Sequence, residues 1–144
     1  MATATEVLCR AITASATGDT AAIKEYYAPD VVGWSAGEDI ASVEDLIAEA
    51  ITRGGALSEI TVAVQPMQLP SGQVAAEWRL TARHTGPLRL DDELEIEPTG
   101  RRLELRGAVF AQVTGGQVAD FRQYWDPADM LEQLGLMDEP PVYL

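Results

Sequence analysis

A chain of 144 residues, of which 47% are hydrophobic and 23% charged, has the size and composition of one folded domain with a sizeable core. The net charge of −13 at pH 7 argues against nucleic acid or an anionic membrane as a partner, because neither would be attracted. The single Cys9 cannot form an internal disulfide bond, which favours a reducing compartment. Residues 1–10 lack the basic and then apolar pattern of a secretion signal and no stretch resembles a membrane span, so we expect a cytoplasmic protein.

Hydrophobic periodicity predicts three helices before residue 57, at Thr5–Ala16, Ala21–Tyr27 and Val43–Arg53. Pro29 is expected to end the second helix, because the residue before a proline disfavours helical geometry. Ser42 is a suitable N-cap for the third helix, with Asp45 three residues later as a short capping box. The pair Gly54-Gly55 is expected to stop that helix.

Strands are predicted where the apolar residues recur with a period of two. A short strand at Asp30–Trp34 is followed by a turn at Ser35–Glu38. Four longer strands follow the third helix, at Ser58–Met67, Gln73–His84, Arg102–Val113 and Gln117–Trp125. The second of these has a largely apolar face, formed by Val74, Ala76, Trp78, Leu80, Ala82 and His84. Residues 85–101 are expected to be an acidic connection.

A last helix is predicted after the strand that ends at Trp125. Asp126 suits its N-cap, Pro127 its first position and Gly135 its C-terminal stop. Residues 137–144 are expected to be a tail of a single domain spanning residues 1–144. Helices followed by a meander predict an α+β fold, in which a curved, mostly antiparallel sheet wraps around the N-terminal helices and leaves a central pocket.

Five motifs occur in a characteristic order, namely Glu77–Gly86, Pro98–Arg102, Gly107–Phe110, Gly116–Val118 and Trp125-Asp126 followed by Gln133–Gly135. Their order and spacing resemble those of the SnoaL-like polyketide cyclases of the NTF2-like superfamily. The resemblance implies a cone-shaped fold, a homodimer built through the sheet, and cofactor-independent ring closure on a polyketide ester by an intramolecular aldol reaction. It also implies that Asp126, nine residues before Gly135, is the acid/base.

The residues around Asp126 leave two interpretations of its role open. Its carboxylate would cap the last helix, or it would act as acid and base if burial raised its pKa above the usual value of about 3.9. Alternation places it on one strand face with Arg122 and Tyr124, which we expect to contact substrate. Arg122 would bind a substrate oxygen or form a structural ion pair with Asp120 or Asp126.

Further residues are candidates for the site, each with a structural alternative. His84 would relay a proton or orient Asp126, or else pack as a satisfied histidine at a strand end. Four aromatic residues would line a flat pocket for an aromatic polyketide, or belong to the core, namely Trp34, Trp78, Tyr26 and Tyr27. Gln112 would hydrogen-bond a substrate oxygen, or be solvated. One histidine and one distant cysteine do not make a metal site.

The preferred function is a cofactor-independent cyclase of aromatic polyketide (antibiotic) biosynthesis, with Asp126 as acid/base. Departures from the family pattern at Gln112 and Arg122 favour an alternative in the same fold, a hydroxylase of an aromatic polyketide or an epoxide-opening hydrolase. A second alternative is a module that binds a small molecule without transforming it. A fold by itself does not choose among them.

Overall fold

In a computed structural model that describes residues 2–36, 38–90 and 92–137, the chain forms four helices and eight strands in those ranges. The helices are α1 (Ala4–Thr17), α2 (Thr20–Tyr26), α3 (Val43–Ala56) and α4 (Pro127–Gln133). The strands are β1 (Tyr27–Ser35), β2 (Glu38–Ile40), β3 (Leu57–Gln68), β4 (Val74–His84), β5 (Leu88–Arg89), β6 (Glu95–Ile96), β7 (Arg102–Thr114) and β8 (Gln117–Trp125). Of the tail expected at residues 137–144, the part from residue 138 lies outside the described residues.

Six of the strands form one sheet in the order β2-β1-β8-β7-β4-β3. All neighbours in it are antiparallel except β1 and β8, which run parallel although they are the first and last strands of the chain. Helices α1, α2 and α3 pack against this sheet, and the main core lies between them. The predicted α+β fold, with its curved sheet around the N-terminal helices, is confirmed. Among the described helices, none is both long and apolar enough to cross a membrane.

The second helix and the strand after it begin earlier than the sequence predicts. Helix α2 ends at Tyr26, and β1 already begins at Tyr27, so Pro29 lies inside a strand. The pairing of β1 with β8 shifts register between Tyr27 and Val32, and such an irregularity accommodates a residue without an N–H group. The expected turn at Ser35–Glu38 leads directly into the short strand β2, which was missed.

Helix α3 continues through Gly54-Gly55 to Ala56, so the expected stop was wrong. The carbonyl oxygen of Ala56 accepts hydrogen bonds from the backbone N–H groups of Thr85 and Gly86, at 3.1 and 3.0 Å. These tertiary contacts satisfy the helix end, and they replace the glycine cap that the sequence suggests. Ser42 does occupy the N-cap position, but its side chain makes no capping hydrogen bond.

The two faces of the sheet can be assigned from burial and register. The predicted apolar face of β4 points toward the helices, with Val74, Ala76, Leu80, Ala82 and His84 buried. The strand β7 lies next to β4, and its residues in register on the same side are also buried, namely Leu103, Leu105, Val109 and Ala111. The residues of β8 that pair with these buried β7 residues therefore also point inward, and one of them is Phe121, opposite Ala111.

Candidate active site

A cavity of about 640 Å³ lies between the helices and the concave face of the sheet. Small-molecule sites usually measure roughly 300–1,000 Å³, so this volume suits a ligand of several rings. The wall is largely apolar, with Leu8, Ile12, Val62, Trp78, Phe121 and Trp125 among its side chains. The expected central pocket is therefore present. Of the four aromatic residues predicted to line it, Trp78 and Tyr27 do, whereas Trp34 and Tyr26 do not.

Four polar residues lie together on the wall of this cavity, and only one of them, Tyr27, was predicted from the sequence to line it. Tyr27 comes from the start of β1, Glu38 from β2, and Glu49 and Arg53 from successive turns of α3. In the sequence, a Glu followed four residues later by an Arg is typical of a solvated helix surface. Strand β2 was not predicted, so nothing in the sequence placed Glu38 near Glu49, and the cluster could not be recognised.

Glu49 has the most perturbed carboxyl group in the cluster. Partial burial raises its pKa first, and Glu38 raises it further as a hydrogen-bonding and like-charged neighbour, while Arg53 lowers it. The net effect is a pKa of about 7, compared with an ordinary 4.5. A carboxyl group poised near neutral pH can both take and return a proton, which is the property required of a general acid/base.

Arg53 and Tyr27 border the same carboxyl group. The Arg53 guanidinium donates from Nη1 to the backbone carbonyl of Ser15 at 2.7 Å. Burial lowers the pKa of Arg53, and burial likewise raises the pKa of the Tyr27 hydroxyl. Both shifts reflect the cost of holding a charge away from water, so Tyr27 is a neutral donor and Arg53 a cation with little solvation.

Asp126 lies beside the cavity but does not line it, although its neighbours Trp125 and Pro127 do. Its side chain is exposed, and Oδ1 accepts a hydrogen bond from the backbone N–H of Ala128 at 3.0 Å. The predicted cap of α4 is thus formed, with Pro127 in the first turn. The acid/base role of Asp126 stays a prediction.

The candidates Trp34, Gln112, Arg122 and Tyr124 lie on the outer face of the sheet, away from the cavity. The rings of Trp34 and Tyr124 are 5.1 Å apart, and the guanidinium of Arg122 lies 6.0 Å from the ring of Phe110. Tyr124 is 48% exposed. The expected shared face of Arg122 and Tyr124 exists, but their expected contact with a ligand in the pocket is not supported by this placement.

The physical reason is the alternation of β8 itself. Phe121, Gln123 and Trp125 point inward and line the cavity, so the residues between them must point outward. Within the described residues, Arg122 makes no ion pair with Asp120 or Asp126. The structural alternative for Arg122, an ion pair with Asp120 or Asp126, is therefore wrong as well.

His84 is fully buried but does not line the cavity. Its Nδ1 accepts the backbone N–H of Thr99 at 3.1 Å, and the Thr99 hydroxyl lies 3.0 Å from the same atom. Because Nδ1 is an acceptor, the ring proton of the neutral histidine is on Nε2, for which no partner exists among the described residues. His84 thus packs at the strand end away from the cavity wall, but with one ring nitrogen unpartnered it is not the fully satisfied histidine of the structural alternative, and its proton-relay role stays a prediction.

The comparisons with known proteins agree with this architecture. The sequence profile of the SnoaL-like polyketide cyclases matches residues 5–134. The chain belongs to this family. No protein among those with curated functions matches the SnoaL-like chain in sequence.

Solved structures give the fold of this SnoaL-like protein. AclR from Streptomyces galilaeus, provisionally named a hydroxylase, is 20% identical, with a TM-score of 0.74 over 94% of this chain and 82% of AclR. A protein from Pseudomonas putida KT2440, provisionally named a polyketide cyclase, is 24% identical, with a TM-score of 0.70 over 92% of this chain and 98% of its own. IdmH from Streptomyces antibioticus, also provisionally named a polyketide cyclase, is 21% identical, with a TM-score of 0.75 over 93% of this chain and 99% of IdmH. The NTF2-like fold is confirmed, and at these identities the likeness extends to the fold alone.

Proposed function

We propose that this SnoaL-like protein closes a ring on a polyketide-type ketone or ester by an intramolecular aldol reaction in its central cavity. The observation that carries the proposal is the position of Glu49, a carboxyl group paired with Glu38 on the wall of a large apolar cavity. Membership of the SnoaL-like polyketide cyclases supports the substrate class. The chemistry requires one group that takes and returns a proton, and Glu49 is suited to it.

The reaction balances without a further reactant. The Glu49 carboxylate takes a proton from the carbon next to a substrate carbonyl, which leaves an enolate and a neutral Glu49. The enolate carbon then attacks a second carbonyl carbon of the same molecule, and the oxygen of that second carbonyl becomes an alkoxide. Glu49 returns the proton to that alkoxide, so the product is an isomer of the substrate and the carboxylate is regenerated. The apolar wall strengthens these charge interactions by excluding water.

Asp126 is the second candidate for the acid/base, carried by the family resemblance. Its exposed carboxylate accepts an amide N–H, and such a bond favours the charged form. Glu49 instead has the partly buried, like-charged setting that favours proton uptake. We therefore assign the proton transfers to Glu49 and let the experiment decide between the two carboxylates.

The test compares Glu49→Gln with Asp126→Asn on a triketone that carries a cyclic diketone and a methyl-ketone arm. This compound closes a six-membered ring by an internal aldol reaction, and chromatography separates the bicyclic ketol product from the triketone of the same mass. Loss of a general acid/base typically lowers the reaction rate by about 10²- to 10⁴-fold, so the rate of ring closure by Glu49→Gln should be lower by at least about 100-fold. Wild-type activity should rise with pH through about 7, as the Glu49 carboxyl group ionises. A large loss in Asp126→Asn alone would move the role to Asp126.

The alternative functions have their own outcomes on other substrates. Incorporation of labelled oxygen from O₂ into an aromatic polyketide would indicate a hydroxylase, and conversion of an added epoxide to a diol would indicate an epoxide-opening hydrolase. The residues that favoured those alternatives, Gln112 and Arg122, lie on the outer face of the sheet. Tight binding without any conversion, equal in wild type and Glu49→Gln, would indicate a binding module.

The proposal includes a cytoplasmic homodimer that pairs through the outer face of the sheet. The half-exposed Tyr124, with Trp34 and Phe110 beside it, gives that face an aromatic surface of the kind enriched at protein interfaces. Sedimentation should give twice the 15.5 kDa mass of one chain. A Tyr124→Asp variant should sediment as a monomer, and an unchanged dimer would place the interface elsewhere.

A further inference from the structure

Tyr27 places an uncommitted hydroxyl group in the cavity wall. The residue is only 7% exposed, and its ring packs edge-on against Phe121, with the centroids 6.1 Å apart. In the described part of the chain its hydroxyl has no hydrogen-bond partner, and the groups that act on it through charge are Arg53 and Glu49. A buried donor normally finds a partner, so this hydroxyl is available to a ligand in the cavity.

Arg53 brings a cation to the same part of the wall. A guanidinium has five N–H donors, and the bond from Nη1 to the Ser15 carbonyl fixes its position while leaving other donors free for a ligand. Ser15 lies in the last turn of α1, where the helix dipole favours a positive charge. Among the described residues, no carboxylate is close enough to Arg53 to form an ion pair.

We infer that the Tyr27 hydroxyl and the Arg53 guanidinium together form a binding site for a negatively charged ligand oxygen, an enolate or a phenolate, beside Glu49. The inference rests on the proposed function, because an enolate oxygen is the group that gains charge when Glu49 removes a proton. Donors held ready for that oxygen stabilise the charge where it develops. Tyr27 and Arg53 are therefore catalytic residues of the proposed reaction, and they also select ligands with an acidic or enolisable oxygen.

The surrounding charges predict how this site depends on pH. Glu38 and Asp45 act on Glu49 as acidic neighbours, Arg53 is the adjacent cation, and Arg89 of β5 lines the same cavity. A protonated Glu49 leaves the positive charge of Arg53 available to an anion, whereas an ionised Glu49 repels that anion. Anion binding should therefore weaken as the Glu49 carboxyl group ionises.

The experiment measures the binding of 4-nitro-1-naphthol, whose anion absorbs visible light and whose neutral form does not. Hydrogen bonds to charged groups are strong, so Tyr27→Phe and Arg53→Met should each weaken binding of the anion by about 10-fold or more. Tyr26→Phe is the matched control, since it removes a hydroxyl from the preceding residue, which does not line the cavity. Unchanged anion affinity in Tyr27→Phe, with circular dichroism that matches wild type, would overturn the site.

A measurement on the wild-type protein keeps the test independent of how the variants fold. The apparent pKa of the naphthol should fall on binding by about 1, which is a tenfold preference for the anion. A raised pKa, or no binding of the anion, would overturn the inference.

The closing comparison separates this inference from the proposed function. Glu49→Gln should abolish ring closure, yet above about pH 8 it should bind the anion more tightly than wild type, because a like charge has been removed. If Glu49→Gln still catalyses ring closure while Tyr27→Phe weakens binding of the anion, the oxyanion site stands without the proposed acid/base. If ring closure is lost and the anion is unaffected by Tyr27→Phe, the acid/base stands and the oxyanion site is refuted.

Discussion

The pKa of Glu49 makes the stability of the protein depend on pH in a direction that can be measured. The folded state holds the Glu49 proton more tightly than the unfolded chain, because the pKa rises from 4.5 to about 7 on folding. The contribution of Glu49 to stability is therefore largest below pH 4.5 and falls as pH rises to about 7, above which it is constant. Without screening by water, this rise in pKa would make the loss about 3 kcal/mol, at about 1.36 kcal/mol per pH unit. Because water screens this half-exposed carboxyl group, we expect about 1 to 2 kcal/mol.

Urea unfolding at pH 5.5 and pH 8 measures roughly three fifths of this loss, because the rest occurs below pH 5.5, and the variant Glu49→Gln should lack it. Other carboxyl groups also ionise in this range, so the quantity compared is the pH-dependent change in wild type minus that in Glu49→Gln. Glu44→Gln is the matched control, since Glu44 is an exposed residue in the first turn of the same helix. The equivalent shift in melting temperature is about 3 to 7 °C for a chain of this length. An equal pH dependence in wild type and Glu49→Gln would refute the assigned environment of Glu49.

Three other variants test the packing of the fold. Gly107→Ala would place a Cβ 2.3 Å from the Trp78 ring, so we expect a loss of about 1 to 3 kcal/mol in urea unfolding and a changed tryptophan fluorescence spectrum. Leu103→Ala removes a fully buried side chain and should cost about 2 to 5 kcal/mol; a loss below 1 kcal/mol would contradict its assigned burial. Asp126→Ala removes the hydrogen bond to Ala128 and should cost about 1 kcal/mol, whereas Asp126→Asn should keep most of the melting temperature because asparagine also caps helices.

The parts of the fold governed by local rules were predictable from sequence. The apolar face of β4 follows from a two-residue period sustained over eleven residues, and the start of α4 follows from the chemistry of Asp126 and Pro127. The errors occur where tertiary contacts override local preference. Helix α3 passes through Gly54-Gly55 because the backbone N–H groups of Thr85 and Gly86 donate hydrogen bonds to its last residue, Ala56.

The site was less predictable than the fold, because alternation gives two faces of a strand without saying which is inside. On β8 both faces carry aromatic residues, Tyr124 on one and Phe121 and Trp125 on the other. Only the pairing with β7, which itself pairs with β4, decides between them. The polar cluster of the cavity depends even more on tertiary structure, since Tyr27, Glu38 and Glu49 come from three different elements.

The parallel pairing of β1 with β8 has a consequence for how the chain acquires its structure during synthesis. Gly33 lies opposite Phe121, and the 87 residues between them must all be made before this pairing can form. Contacts between such distant parts of a chain slow folding, and until β8 arrives both β1 and β7 have an unpaired edge. The nascent chain should therefore remain without a closed core until its last strand leaves the ribosome, so that the cavity and the two carboxylates on its wall are assembled in one late, cooperative step.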